Sequence, residues 1–467
     1  MKYISTRGEN SGLDFDDVLI SGLASDGGLY LPDTWPTFSK SQIAAFKNLS
    51  YGETAFHVMR PFINRNTADD ATLKSIINDA YSHFDSDNVA ELVDLGDNQW
   101  MLELFHGPTL AFKDMAMQFL GPIFDHVLSI RQARATIVGA TSGDTGSAAI
   151  EACRGREALD VFILYPHNRV SDVQRRQMTT VADKNVHAIA INGTFDDCQD
   201  LVKSMFNDQL FRNKWNLSAV NSINWARIMA QIVYYFYAAV RVGAPEKAVA
   251  FSVPTGNFGN IFAGFAAKKM GLPIEQLIVG TNQNDILDRF FKTGIMKMDG
   301  VNATISPSMD IQISSNFERL LFDLFNHDHQ LLSETMTAFR QSGEFCVNAD
   351  TLSTAQKLFS SARFDDDQTK ALIKQLYQHQ GKLIDPHSAV GLAAGRACIN
   401  NNNTPLVTLA TAHPAKFPDA TEQASGVHPA LPDHLSDLFD RPEHFNILDN
   451  DLNTIEQFIS NTLGTAS

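Results

Sequence analysis

From about residue 98 to residue 411, short β-branched and apolar runs alternate with stretches whose apolar positions recur at helical spacing. The runs at 135–139, 160–165, 186–191, 217–221, 248–253, 277–281 and 405–411 predict strands. The intervening 145–153, 171–181, 196–207, 225–241 and 259–270 predict helices. That alternation predicts an α/β protein built on open, mostly parallel sheet with helices on both faces. Residues 1–97 differ: helical patterns at 15–23 and 51–59 and a turn followed by a short strand at Ser25-Asp-Gly-Gly-Leu-Tyr-Leu-Pro32 predict a separate N-terminal layer. The segment 283–380 says least. Its Asn326-His-Asp-His-Gln330 reads as a solvated loop, because no third partner stands at metal-ligand spacing.

Length and charge narrow the function. A chain of 467 residues has room for two or three domains, and its 44% hydrophobic content suits a full core. The formal net charge of −16 argues against nucleic-acid partners and anionic membrane surfaces, so a site for an anionic substrate must be locally positive. Four scattered cysteines, Cys153, Cys198, Cys346 and Cys398, lack zinc spacing and read as reduced thiols. No signal-peptide run opens the chain, and the apolar stretch 228–240 is too short to span a bilayer. These features predict a soluble, cytoplasmic protein.

The candidate chemistry centres on Lys113. A strand over 99–104 leads into the Gly107-Pro108 break, and after Lys113 the residues Met115, Ala116, Phe119, Ile123 and Val127 recur at helical spacing. A lysine set among Leu110, Ala111 and Phe112 at such a junction loses solvation of its charged form, which favours a neutral amine able to react with carbonyls. Taken alone, it reads equally well as a surface lysine whose stem covers apolar neighbours.

Two glycine-rich strand-to-helix turns accompany it. In Val253-Pro-Thr-Gly-Asn-Phe-Gly-Asn260 the backbone amides and the helix N-terminus can converge on an anion. Gly256 and Gly259 permit close approach, and Asn257 and Asn260 can donate or cap. The turn lacks both the Walker lysine and the spacing of a dinucleotide site. Gly139-Ala-Thr-Ser-Gly-Asp-Thr-Gly146 offers a second anion seat. Val220-Asn-Ser-Ile-Asn-Trp-Ala-Arg227 brings Ser222 and Arg227 near one helix start, where the arginine reads either as a phosphate fork or as the partner of a surface carboxylate. Leu409-Ala-Thr411-Ala-His-Pro-Ala-Lys-Phe417 follows a buried strand whose end can project a side chain.

Together with the Lys113 stretch these four motifs resemble the threonine synthases, in particular their longer bacterial and fungal form. His106-Gly-Pro-Thr-Leu-Ala-Phe-Lys113-Asp114 carries the resemblance most directly. The resemblance implies a fold-type II pyridoxal-phosphate enzyme with two sheet-containing lobes and the cofactor in their cleft. Its smaller lobe would fall near 120–245, its larger near 98–119 and 246–467, beside the N-terminal domain 1–97. It implies Lys113 as the cofactor lysine, and Gly256, Asn257, Phe258, Gly259 and Asn260 as the cofactor-phosphate loop. Thr411 becomes the hydroxyl partner of the pyridine nitrogen. Asp144 would either share a proton with the ring oxygen or point elsewhere. Ser142, Thr145, Asn221, Ser222 and Arg227 become substrate contacts, with no metal required. The implied reaction converts O-phospho-L-homoserine and water to L-threonine and phosphate, in a monomer or homodimer. Two alternatives stand beside it: a dehydratase-like or phospholyase elimination enzyme of the same fold, and a non-catalytic regulatory relative that binds the cofactor.

Overall fold

The computed structural model describes residues 1–219 and 221–464. Val220, inside the expected 217–221 strand, lies outside the described residues.

The chain forms two compact units. The first comprises residues 1–19, 23–116 and 222–430 and holds a six-stranded sheet. In spatial order its strands are Phe359–Arg363, Ile274–Thr281, Val249–Pro254, Leu406–Ala410, Gln99–Glu103 and Glu91–Gly96. All neighbours pair in parallel except the last two, where Glu91–Gly96 returns antiparallel as an edge. The central strands Val249–Pro254 and Leu406–Ala410 are buried at every position. That is why they read as continuous apolar runs rather than as alternation. The second unit comprises residues 20–22, 117–221 and 431–467 and carries a five-stranded, all-parallel sheet. Its strands are ordered Asn446–Asp449, Val186–Asn192, Leu159–Pro166, Ala135–Ala140 and Leu217–Ser218.

The expected helices form, at Asp144–Cys153, Asp172–Thr179, Phe195–Asn207, Trp225–Arg241 and Gly259–Lys269. Their starts follow capping rules: Ser171 and Thr194 each accept a backbone amide of the first turn, and Thr194 completes a reciprocal box with Asp197.

The unit boundaries differ from those read in the sequence. Residues 1–19 and 23–97 lie in the first unit, where Tyr3–Ser5 pairs antiparallel with Ser11–Leu13 and Tyr30–Pro32. Helix Trp225–Arg241, placed by the sequence in the smaller lobe, also belongs to the first unit, because Trp225 is fully buried against Tyr3, Trp35 and Phe62. Every residue of that helix but Arg241 is buried, so its apolar run serves as a core helix. Among the described residues no helix is long and apolar enough to cross a membrane. The C-terminal segment joins the second unit, adding the edge strand Asn446–Asp449 and the helix Leu452–Gly464. The histidine-rich stretch is not wholly a loop: Asp328 caps the helix His329–Ser342, and His327 stacks on Phe322.

Candidate active site

Lys113 is carried by a turn with little freedom. At Gly107 a Cβ atom would stand 2.5 Å from the Cβ of Asp114, so only glycine fits there, and Leu110 adopts a positive φ of 62°. Asp114, fully buried, accepts the Thr109 amide at 2.7 Å and the Thr109 hydroxyl at 2.6 Å, while the buried Lys416 Nζ donates to the Thr109 carbonyl at 2.6 Å. The turn is then stitched to the end of strand Leu406–Ala410. Phe112 N donates to Thr411 O at 2.8 Å, and His413 N donates to Leu110 O at 3.0 Å. The half-buried Lys113, its Nζ 5.6 Å from the Phe112 ring centre, is thereby set one residue from the backbone contact that holds Thr411.

The second element is the turn between Val249–Pro254 and Gly259–Lys269. Phe258 takes the left-handed conformation, φ 62°, just before the helix. The turn's carbonyls are drawn outward: Ser314 Oγ donates to Gly256 O at 2.7 Å, and Asn316 donates through its N and Nδ2 to Asn257 O at 3.0 and 2.9 Å. With the carbonyls so held, the amides of Gly256, Asn257 and Phe258 donate to no group among the described residues. Consecutive amides of this kind beside a helix N-terminus make an anion-binding concavity. Asn260 adds a side-chain donor. Tyr234 and Tyr235 hydroxyls reach its Oδ1 at 2.6 and 3.1 Å, while its Nδ2 has no partner among the described residues. The Phe258 ring is 1% exposed and packs on Phe317, Phe359 and Phe291, so this residue offers backbone rather than side chain.

Arg227 lies in the first turn of Trp225–Arg241, behind the cap Asn224, whose Oδ1 accepts Ala226 N at 3.0 Å. It is 3% exposed, and its Nε and Nη1 have no hydrogen-bond partner among the described residues. Burial alone lowers its pKa to about 10, which leaves it cationic at neutral pH. An uncompensated buried guanidinium costs several kcal/mol and is tolerated where it meets an anion. The reading of Arg227 as the partner of a surface carboxylate therefore fails. The next turns of the same helix face, Gln231 and Tyr234, connect it by hydrogen bonds to Asn260. Ser222 O accepts from Asn316 Nδ2 at 3.1 Å, the same side chain that holds Asn257 O.

Within the second unit, Thr141 Oγ1 accepts the amides of Gly143 and Gly146, each at 2.9 Å, and shapes the turn before helix Asp144–Cys153. Asp144 is 6% exposed, and its Oδ1 accepts from Gln174 Nε2 at 2.8 Å. Ser142 and Asn221 are exposed and Thr145 is half-buried. The first unit thus holds Lys113 beside Thr411, and the 256–260 turn beside Ser222 and the Arg227 helix. Ser142, Asp144, Thr145 and Asn221 stand in the second. The sequence reading missed Ser314, Asn316, Tyr234 and Tyr235, which lie outside the motifs. Asp385, His387 and Ser388 were missed as well, since they lie outside those motifs. The donors present, a lysine amine, a cluster of unoccupied amide donors and a buried guanidinium, fit a phosphorylated aldehyde cofactor and a phosphorylated substrate.

Comparison with known proteins defines the class first. A family model described as pyridoxal-phosphate dependent enzyme matches residues 93–410, flanked by models for the threonine synthase N terminus at 2–81 and C-terminal region at 388–459. The threonine synthase of Pseudomonas aeruginosa is 55% identical over 98% of both chains, and that of Saccharomyces cerevisiae is 46% identical over 90% of this chain and 88% of its own. The crystal structure of a pyridoxal-phosphate-bound threonine synthase from Brucella melitensis, 53% identical, superposes with a TM-score of 0.97 over 99% of each chain. The chain belongs to the threonine synthase family of pyridoxal-phosphate-dependent lyases.

Proposed function

We propose that the enzyme converts O-phospho-L-homoserine and water to L-threonine and phosphate, as a cytoplasmic step of amino-acid biosynthesis. The observation that carries the substrate assignment is Arg227, a buried guanidinium with unsatisfied donors in a chain of net charge −16. When bound, pyridoxal phosphate delocalises the electron pair left on a substrate carbon as a C–H bond breaks. In this reading Lys113 anchors the cofactor and, once its amine is released, moves the proton at the substrate's Cα. The 256–260 turn holds the cofactor phosphate through its amides and Asn260. Thr411 faces the pyridine nitrogen with a hydroxyl, which does not keep it protonated as a carboxylate would, and so favours elimination. Asp144, one oxygen of which accepts from Gln174, either shares a proton with the cofactor's ring oxygen or points elsewhere. Ser142, Thr145, Asn221 and Ser222 orient the substrate, and Arg227 neutralises the phosphate as a Cβ proton is lost and the Cγ–O bond breaks, after which Cγ takes up a proton. Water then adds at Cβ.

Following phosphate and threonine together in purified enzyme supplied with O-phospho-L-homoserine tests this reading. One threonine per phosphate is expected. Ammonia and an oxoacid in place of threonine would establish the phospholyase alternative, and no turnover would establish the regulatory one.

A further inference from the structure

Helix Pro386–Cys398 begins with a cap that does more than start a helix. Asp385 is fully buried and its carboxylate accepts from both His387 and Ser388. Oδ2 takes His387 N at 2.9 Å and His387 Nδ1 at 2.7 Å, and Oδ1 takes Ser388 N at 3.0 Å and the Ser388 hydroxyl. A cap needs only the amides. The two side-chain bonds fix where protons lie. Because His387 donates through Nδ1, the neutral ring leaves Nε2 bare, and Nε2 accepts the Ser308 amide at 3.1 Å. Because the Ser388 hydroxyl donates to Asp385, its oxygen is left to accept the Thr411 amide at 3.1 Å. Ser308 in turn backs the anion-binding turn, since its carbonyl stands 2.7 Å from where a Cβ on Gly256 would be. His387, Ser388 and Thr411 are 3%, 1% and 6% exposed, so water does not substitute for these contacts.

We propose that Asp385 is a positioning residue that holds two ends of the cofactor site in register. Through Ser388 it fixes the backbone at Thr411, and through the neutral tautomer of His387 it fixes the Ser308 segment behind Gly256. The inference rests on the proposed roles of Thr411 and of the 256–260 turn. In Asp385→Asn, an amide nitrogen facing His387 Nδ1 forces the proton to Nε2, where it opposes the Ser308 amide. A helix cap alone would lower Tm and leave the cofactor untouched.

The experiment resolves the cofactor from purified enzyme, titrates the apoenzyme with pyridoxal phosphate, and measures threonine formed per phosphate released by each reconstituted variant. Leaving a buried donor unpaired weakens binding by about tenfold or more. Asp385→Asn, whose remaining oxygen still takes the Ser388 hydroxyl while its nitrogen opposes His387, is therefore expected to raise the cofactor Kd at least about tenfold. His387→Leu is expected to raise the Kd alone, and Ser388→Ala to lower the ratio alone. These two single changes decide the matter if Asp385→Asn fails to fold. The inference is overturned if Asp385→Asn keeps its cofactor Kd within about threefold of wild type, whatever its Tm, or if His387→Leu and Ser388→Ala damage both readouts alike. Absence of threonine from the wild-type enzyme would overturn the substrate reading instead, while the cofactor Kd values still decide the role of Asp385.

Discussion

At the scale of single residues, Arg227 carries the sharpest consequences. Its folded-state pKa, about 10, lies below the ordinary arginine range, so folding disfavours its charged form. The penalty is fully present at neutral pH and fades only as pH rises through about 10. Arg227→Met in the holoenzyme should therefore raise Tm in the absence of substrate, and added inorganic phosphate should raise Tm in wild type but not in this variant. Equal phosphate stabilisation of both proteins would count against Arg227 as the anion's partner. For catalysis, losing one member of a desolvated charge pair costs roughly 2 to 5 kcal/mol, or about 30- to several-thousand-fold in kcat/KM. Arg227→Ala should show that loss with the cofactor retained, and Arg227→Lys should recover part of it, keeping charge but not the fork. A loss of only a few-fold would place the substrate phosphate elsewhere. Lys113 has a chemical test: borohydride reduction of the holoenzyme followed by peptide mapping should label Lys113, and label on another lysine sinks the assignment. Both residues were legible because motif order placed them. What the sequence could not show is that Arg227 lacks a carboxylate among the described residues, since the pairing of one cation among 53 acidic residues is decided by burial and not by spacing.

At the scale of elements, strands were easier to read than the turns that bear the chemistry. Leu159–Pro166 and Val249–Pro254 are bounded within a residue or two of expectation because strands buried on both faces leave unbroken apolar runs. The edge strand Glu91–Gly96 was missed, for only one of its six residues is buried and it carries no such run. The 256–260 turn was recognised by its glycines, yet its shape depends on Ser314 and Asn316 from a segment without readable periodicity. An amide that holds a distant carbonyl leaves no spacing signature. This geometry makes Gly256 exacting: a Cβ there meets the Ser308 carbonyl oxygen at 2.7 Å, a backbone atom that cannot rotate aside. Gly256→Ala is expected to raise the Kd for pyridoxal phosphate by about tenfold or more while shifting Tm by only a few degrees, since the strain falls on the turn and not on the core. Cofactor titration of the apoenzyme measures it, and an unchanged Kd would mean that the turn yields without cost or does not hold the cofactor.

At the scale of the whole molecule, the sequence conveyed the α/β class and two sheets but not which segments share a unit. Residues 1–19 and 23–97 and helix Trp225–Arg241 join the first unit, with Trp225 packed on rings of the N-terminal segment, and the strand Asn446–Asp449 joins the second through a pairing that spans more than two hundred residues of chain. Long-range pairing of this kind is invisible to local periodicity. The whole-chain charge, by contrast, is read directly from the sequence and bears on rate. A net charge of −16 opposes the approach of a phosphorylated amino acid, whereas the attraction of Arg227 acts at short range inside a water-poor site. Raising ionic strength from about 0.01 to about 0.15 M shortens the screening length from roughly 30 to 8 Å. That removes the distant repulsion first and screens a buried contact least. In sodium chloride, which does not compete as phosphate would, kcat/KM for O-phospho-L-homoserine should hold steady or rise across that range. In Arg227→Ala, where only repulsion remains, the proportional rise should be at least as large. A steep fall for wild type would instead mean that a local cationic surface steers the substrate and that the net charge does not govern its approach.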